Sequence, residues 1–475
     1  MSSALAAPNV HVVFSAECNH ALSWQSVGIF HSHKAVNQPG PITRLLACSE
    51  EQLQTYRGLD IGPTFVHHNM RFGHPLIDEV GYPSYNKPAS VMFWLEQVDV
   101  KEEFIALLDT DMQLREPLDP VALGARRGVV VSAEYAYLVG TKGKFVRRFL
   151  EAEEVPLAAQ CGGFHIFHRD DLRVIAPLWV EFTKRVRAFA KQDMESCAAA
   201  LPLRLNVTVL TYCDYTYYAR YGSESFLNWH ITEGVSPLEI ETRRHQALWQ
   251  AEMYGYAFGA ARANVSHIVR GDTMLYPGYE PRAGLMPTIL HYGSDYTIVN
   301  EEGGSLITPT HGRSTYFNKM GHKELDLYAC RGHNERTAQG APCLPTSLDA
   351  TQCLPTCNPV PASLQPRAAS LQPCAGQPAT PCSQPATRCL AGALFFFDAP
   401  PPIVTAEGKP RSKRDLLITQ HLQLLNAAFC AFYRAHCGAQ PAECPTERAT
   451  PAGIAQALRP TLDPNPDPDL APFQP

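Results

Sequence analysis

The sequence predicts an α/β fold, and three observations predict it. Short apolar runs recur at His11–Ala16, Ile42–Cys48 and Phe104–Leu108, too short for helices and bounded by polar or turn residues. Segments with helical spacing lie between them. Strong breakers such as Gln38-Pro39-Gly40-Pro41 separate the two kinds of segment. Taken in order, His11–Ala16 reads as a buried strand that ends in the polar cluster Glu17-Cys18-Asn19. A helix follows over residues 23–34, with Trp24, Val27 and Phe30 on one face. Ile42–Cys48 is the second strand. This strand–helix–strand start is that of a nucleotide-binding α/β sheet.

Further along, residues 65–84 read as a loop rich in His, Gly and Pro. Pro88 suits the first turn of a helix, because its missing N–H costs nothing there, and Val91, Trp94 and Leu95 form that helix's apolar face. Phe104–Leu108 reads as a central strand that stops at Asp109-Thr110-Asp111. A second α/β section runs to about Lys191. Residues 192–245, with a Tyr-rich stretch and weak periodicity, read as an insertion or as retained non-coding sequence. Trp249, Met253, Tyr256 and Ala260 share a helical face. A strand at Ser266–Val269, a turn at Tyr276-Pro277-Gly278-Tyr279 and another strand ending at His291-Tyr292-Gly293 follow.

The division expected is a catalytic-type domain over 1–337, with 192–245 inserted, and a low-complexity Pro/Ser/Cys-rich linker over 338–393. A helical extension over 394–440 and a disordered tail over 441–475 complete it. The linker repeats Ser-Leu-Gln-Pro at Ser363 and Ser370 and Gln-Pro-Ala-Thr at Gln377 and Gln384, and cannot bury enough apolar surface to offset chain entropy. Beyond it, Ile418, Leu422, Leu425, Phe429 and Phe432 form one helical stripe.

Composition narrows the function. The 475 residues are 45% hydrophobic, which excludes global disorder. A net charge of -6 without a basic block argues against nucleic acid as partner. Ten of the 15 cysteines lie between Cys330 and Cys444, at spacings that favour disulfides over zinc. The first ten residues are too short for a signal peptide before the first strand, and no apolar run is long enough to span a membrane. The chain as written therefore reads either as cytosolic or as lacking its natural start. Two sequons, at Asn206 and Asn264, permit a secretory route.

The chemistry centres on Asp109 and Asp111. Two carboxylates at i and i+2 just past a buried strand project into the crevice at the sheet's carboxyl end, where open α/β sheets bind ligands. Paired carboxylates suit Mg²⁺ or Mn²⁺, and such a cation stabilises charge on a leaving diphosphate. A D-x-D triplet alone arises often by chance, and its position after an apolar strand is what singles it out. His291, which closes an apolar run, is either a third metal ligand or a hydrogen-bonded core histidine. Asn86 and Lys87, at a loop-to-helix junction, can reach a phosphate or a sugar hydroxyl. Arg44 lies in a strand-like apolar segment, where its charge needs a diphosphate or a carboxylate. Glu252, on or beside a helix face with Met253 and Tyr256, either orients a sugar or acceptor hydroxyl or makes a structural hydrogen bond. Gly162-Gly163 offers close backbone approach to a ligand, or a tight turn. His168 beside Asp170-Asp171 reads as a helix cap.

These segments, in this order, resemble the peptidyl serine α-galactosyltransferases. The resemblance rests on the run from Gln38 to Cys48, Thr55-Tyr56-Arg57-Gly58, Pro63-Thr64-Phe65, Tyr85-Asn86-Lys87-Pro88 with Trp94-Leu95, and Leu108-Asp109-Thr110-Asp111-Met112. It continues through Tyr137-Leu138-Val139-Gly140, Asp170-Asp171-Leu172-Arg173, Ala176-Pro177-Leu178-Trp179, Glu252-Met253-Tyr254-Gly255-Tyr256, Tyr276-Pro277-Gly278-Tyr279 and His291-Tyr292-Gly293. It covers about residues 11–330, and the region 412–437 resembles the family's C-terminal part more loosely. The related hydroxyproline O-arabinosyltransferases look similar around the Asn-x-Pro and Glu-Met-Tyr segments, but their acidic motif reads Glu-Pro-Asp.

The resemblance implies a GT-A-type mixed sheet flanked by helices, UDP-galactose as donor, Mn²⁺ or Mg²⁺ as metal, and serine in hydroxyproline-rich, extensin-like glycoproteins as acceptor. It implies net retention by a front-face mechanism, in the endoplasmic reticulum or Golgi lumen. In that reading Asp109, Asp111 and His291 hold the metal, and Arg44, Asn86 and Lys87 position the nucleotide sugar. Glu252 sits near the transferred sugar or the acceptor. A hydroxyproline O-arabinosyltransferase, or a non-catalytic glycan- or glycopeptide-binding protein of the same fold, is the alternative.

Overall fold

The computed structural model describes residues 9–135, 138–142, 145–200, 250–275, 286–293, 309–310, 313–314, 319–330 and 413–437. The chain divides into two compact units, Met1–Ala329 with Phe396–Pro475, and Cys330–Phe395. Every described helix and strand belongs to the first unit.

Seven strands form one sheet in the order β3-β2-β1-β4-β7-β6-β8. They are β1 (Val10–Glu17), β2 (Ile42–Cys48), β3 (Thr64–His68), β4 (Phe104–Asp109), β6 (Val129–Glu134), β7 (Cys161–His168) and β8 (Ser266–Arg270). The pairings β1–β2, β2–β3, β1–β4 and β6–β8 are parallel, and β7 runs antiparallel to β4 and β6. The sheet is mixed and flanked by helices, as the resemblance implied.

The central strands are mostly apolar because both faces are covered. Val13, Leu45, Ile105 and Leu107 face Val91, Trp94, Trp179 and Tyr256 on one side, and Val12, Phe14, Ala106 and Leu108 share the other with Ile29 and Ile289. Helices α3 (Asn86–Gln97), α5 (Arg169–Ala200) and α6 (Ala251–Arg262) cover the first face; α1 (His20–Ala35) lies on the second, and α7 (Lys413–His436) packs against α1. Of two short helices, α2 (Glu50–Thr55) follows β2 and α4 (Pro120–Leu123) precedes β6. In α6, Gly255 makes the close approach to α5 possible: a Cβ there would lie 2.2 Å from the Thr183 hydroxyl oxygen.

A small sheet stands beside the main one. Here β5 (Met112–Leu114) pairs antiparallel with β10 (Ile289–His291), which pairs in parallel with β9 (Met274–Leu275). A two-stranded pair, β11 (Pro309–Thr310) and β12 (Arg313–Ser314), completes the described strands.

Several expectations shift. α1 starts at His20, because Asn19 of the polar cluster is its N-cap and accepts from the Leu22 N–H at 2.8 Å. Residues 65–84 are not all loop: β3 is a half-exposed edge strand, so it lacks the apolar run that marks a central one. Pro88 occupies the third position of α3, within its first turn as expected. Residues 192–200, expected to open an insertion, continue α5. Residues 201–249, Trp249 and the 276–279 turn lie outside the described residues, as do the 338–393 linker and the 441–475 tail. The expected C-terminal helix is α7, with Ile418, Leu422, Leu425, Phe429 and Phe432 all buried.

Cys18 and Cys48 form a disulfide joining the ends of β1 and β2. Among the described residues no helix is long and apolar enough to cross a membrane.

Candidate metal and nucleotide-sugar site

A cavity of about 550 Å³ opens at the carboxyl ends of β1 and β4, the crevice where α/β sheets bind ligands. β1 contributes Ser15, Ala16 and Glu17, and β4 ends in Asp109 on the cavity floor. The Thr110 hydroxyl donates to the Ser15 carbonyl at 2.5 Å and pins the turn between the two carboxylates. The chain then enters β5, which fixes where His291 falls. Antiparallel pairing sets His291 opposite Met112, and the Tyr292 N–H donates to the Asp111 carbonyl at 3.0 Å. His291, far away in sequence, thereby comes to lie with its Nε2 3.1 Å from Asp111 and 3.9 Å from Asp109.

Asp109, Asp111 and His291 each offer a ligand atom within 4.8 Å of the others. Two carboxylates and an imidazole fit a hard or borderline divalent cation such as Mg²⁺ or Mn²⁺. Burial raises the Asp111 carboxyl, but Lys319 and His291 beside it outweigh that and hold it well below the usual range. It is therefore an anion at neutral pH. The His291 ring also lies 3.5 Å, through Nδ1, from the Tyr135 hydroxyl.

Lys87 and Glu252 lie together in the same cavity. The Lys87 ammonium is 2.6 Å from Asp109 and 3.8 Å from Glu252. Burial lowers its pKa, but Asp109 and Glu252 overcome this and raise it, so the amine stays charged. Burial pushes the Glu252 carboxyl up to about 7, against the opposing pull of Lys87. The start of α6 is fixed around it: the Glu252 N–H donates to the Tyr82 hydroxyl at 3.1 Å, and the Trp179 indole N–H donates to the Glu252 carbonyl at 2.9 Å.

Asn86 lines the cavity, yet its amide is engaged internally. It donates to Glu17 at 2.8 Å and to Asn69 at 2.9 Å, and accepts from the Met70 N–H at 2.8 Å. Arg71 holds the same Glu17 carboxylate at 3.0 Å. Asn86 thus braces the cavity wall. Arg44 is elsewhere. Its guanidinium is fully buried and donates to the Tyr56 hydroxyl, the Gly58 carbonyl and the Thr64 hydroxyl, and it is not among the cavity-lining residues. The partner its charge needs is this neutral cage, where Tyr56, Gly58 and Thr64 come from two of the motifs that carry the resemblance.

Two glycines do what a ligand was expected to need them for, but for a side chain. Gly162-Gly163 is inside β7, opposite an irregularity between Ser132 and Ala133 of β6. At Gly163, φ is +68° and a Cβ would lie 2.0 Å from the Tyr135 hydroxyl. The bare backbone makes room for the tyrosine that reaches His291. His168 caps α5, accepting from the Asp170 N–H at 3.2 Å.

Sequence reasoning missed Lys319, whose amine is 2.5 Å from Asp111, and Lys323, which also lines the cavity. It missed Tyr135 and Glu17 as well. Lys319 opens a short 3-10 turn with no motif around it, so only its position in space reveals it.

With this geometry, the comparisons with known proteins fall into place. Residues 10–197 match the hydroxyproline O-arabinosyltransferase family N-terminal domain. The chain carries that domain. Among curated relatives, it is 36% identical over 301 residues to a peptidyl serine alpha-galactosyltransferase of Arabidopsis thaliana, covering 63% of this chain and 32% of the relative. It is 33% identical over 339 residues to a peptidyl serine alpha-galactosyltransferase of Chlamydomonas reinhardtii, covering 68% of this chain and 37% of the relative. The chain thus spans about a third of the length of these relatives. A solved galactosyltransferase, LgtC in complex with donor and acceptor sugar analogs, is similar at a TM-score of 0.28 and 13% identity, over 60% of this chain and 87% of that one.

Proposed function

We propose that the protein is a metal-dependent, retaining glycosyltransferase that moves galactose from UDP-galactose to serine in hydroxyproline-rich, extensin-like glycoproteins. The observation that carries this reading is the Asp109–Asp111–His291 cluster on the floor of a cavity large enough for a nucleotide sugar. The names of the two relatives support the sugar and the acceptor residue.

Asp109, Asp111 and His291 would hold Mn²⁺ or Mg²⁺, which supplies charge neutralisation for a diphosphate leaving group. The remaining chemistry belongs to the chain. Lys319, beside Asp111, and Lys323, elsewhere in the cavity lining, add positive charge that departing phosphate oxygens would gain. Lys87, clamped between Asp109 and Glu252, fixes both carboxylates and offers an N–H to a sugar hydroxyl. Glu252, poised near 7, sits beside the transferred sugar or the acceptor hydroxyl. Retention follows a front-face course in which the leaving phosphate helps accept the acceptor's proton. The disulfide between Cys18 and Cys48 supports folding in an oxidising compartment, the endoplasmic reticulum or Golgi lumen.

A donor screen tests this. The full chain with Mn²⁺ and a serine/hydroxyproline-rich peptide is offered UDP-galactose or UDP-arabinofuranose, and the product is read by mass. A hexose on serine supports the proposal. A pentose on hydroxyproline moves the protein to the activity after which its N-terminal domain is named. Neither product, from folded and metal-bound protein, favours a glycan- or glycopeptide-binding role or a site disturbed by residues 192–245.

A further inference from the structure

Helix α7 lies behind the strand that carries His291. Its Leu416 and Leu417 form one apolar cluster with Leu275 of β9 and Leu290 of β10. One turn on, the His421 ring stacks on Tyr292, with centroids 4.3 Å apart and planes 26° from parallel. His421 Nδ1 is 2.7 Å from Gln113 Oε1. An amide oxygen only accepts, so Nδ1 carries the proton. Gln113 belongs to β5, two residues past Asp111, and pairs with Leu290 in the β5–β10 register. One helix residue therefore touches both strands that bring the metal ligands together: the strand leaving Asp111 and the strand ending in His291.

Those strands need such a support. β5 and β10 have three residues each, and β9 has two. A ribbon that small is not stable in water by itself. Its inner edge rests on the core under the main sheet through Met112, Leu114 and Ile289. Its outer side is closed by α7. Between α7 and β10 a pocket of only about 20 Å³ remains, lined by Leu275, Leu290, Tyr292, Leu417 and His421 among others. The packing there is tight, so a displacement of α7 passes to β10 rather than into empty space.

We propose that α7, through His421, is a positioning element of the metal site: it holds β10 against β5 so that His291 stays in register with Asp111. His421 acts on the site through its stack on Tyr292 and its hydrogen bond to Gln113. Outer partners of this kind tune metal affinity because they fix the orientation of the group that binds. The proposal rests on the reading of Asp109, Asp111 and His291 as a cation site.

The test uses the full chain and Mn²⁺ alone, with affinity read from the free-ion electron paramagnetic resonance signal. His421→Ala removes the stack and the hydrogen bond and is expected to weaken Mn²⁺ binding about tenfold or more. Should that variant fold poorly, His421→Phe keeps a ring on Tyr292 and Gln113→Leu removes the bond from the strand side; each is expected to weaken binding by less. Phe432→Leu, at the far end of the helix against Tyr328 and His436, is expected to lower the unfolding temperature and leave Mn²⁺ affinity intact. Unchanged affinity in the His421 and Gln113 variants overturns the proposal alone. Equal weakening in Phe432→Leu also overturns it, because the effect would then be general stability. An unaltered chain that binds no Mn²⁺ overturns the cation reading, and this inference with it.

Discussion

Replacing Glu252 with Gln should flatten the acid side of the protein's stability curve. The Glu252 carboxyl titrates near 7 in the fold, against 4.5 for an ordinary glutamate, chiefly because it is buried. Between those two values the native state keeps a proton that the unfolded state has released, so stability falls as pH rises. The contribution is fully present below 4.5 and is lost once the pH passes about 7. With 1.36 kcal/mol per unit, the loss over the window amounts to about 3 kcal/mol. Glutamine keeps the shape of the neutral acid and cannot ionise, so the variant should lack this slope and be the more stable of the two at pH 8. Urea unfolding of both proteins at intervals from pH 4.5 to 8 measures it. Parallel curves would refute the argument, since they would mean that Glu252 ionises in the fold as it does in water.

Three other outcomes are expected from the same geometry. Asp111→Asn should nearly abolish sugar transfer, by about a thousandfold, and lose Mn²⁺ binding. Its unfolding midpoint should fall, because the neutral amide loses the pairing with Lys319 and His291 that holds the Asp111 carboxyl low; wild-type activity in this variant would remove the metal-site reading. Arg44→Ala should cost about 3 kcal/mol in urea unfolding while UDP affinity by calorimetry stays unchanged, because Arg44 braces Tyr56, Gly58 and Thr64 rather than a ligand. Gly163→Ala forces a side chain into the left-handed region and against the Tyr135 hydroxyl. It should cost about 2 kcal/mol and weaken Mn²⁺ binding, and a fully stable variant would show that Tyr135 does not need that space.

Strands β1, β2, β4 and β8 and the first half of the site were legible in the amino-acid sequence. Ile42–Cys48 and Phe104–Leu108 announce strands because a sheet covered on both faces is mostly apolar, and Asp109 and Asp111 are legible because they interrupt such a run. Local caps were legible too, as His168 shows. β3 was not, because an edge strand that is half exposed has no continuous apolar pattern. Arg44 could be recognised as a buried charge, but whether its partner was a ligand or a cage of hydroxyls depended on a loop folding back from residues 56–64. His291 stood open between ligand and core histidine until the β5–β10 pairing set it beside Asp111. Lys319, Tyr135 and His421 gave no signal in the sequence, since each acts through a neighbour more than 100 residues away. Chain order encodes periodicity and local turns; which distant side chains share a few ångströms is decided only when the sheets close and the last helix docks.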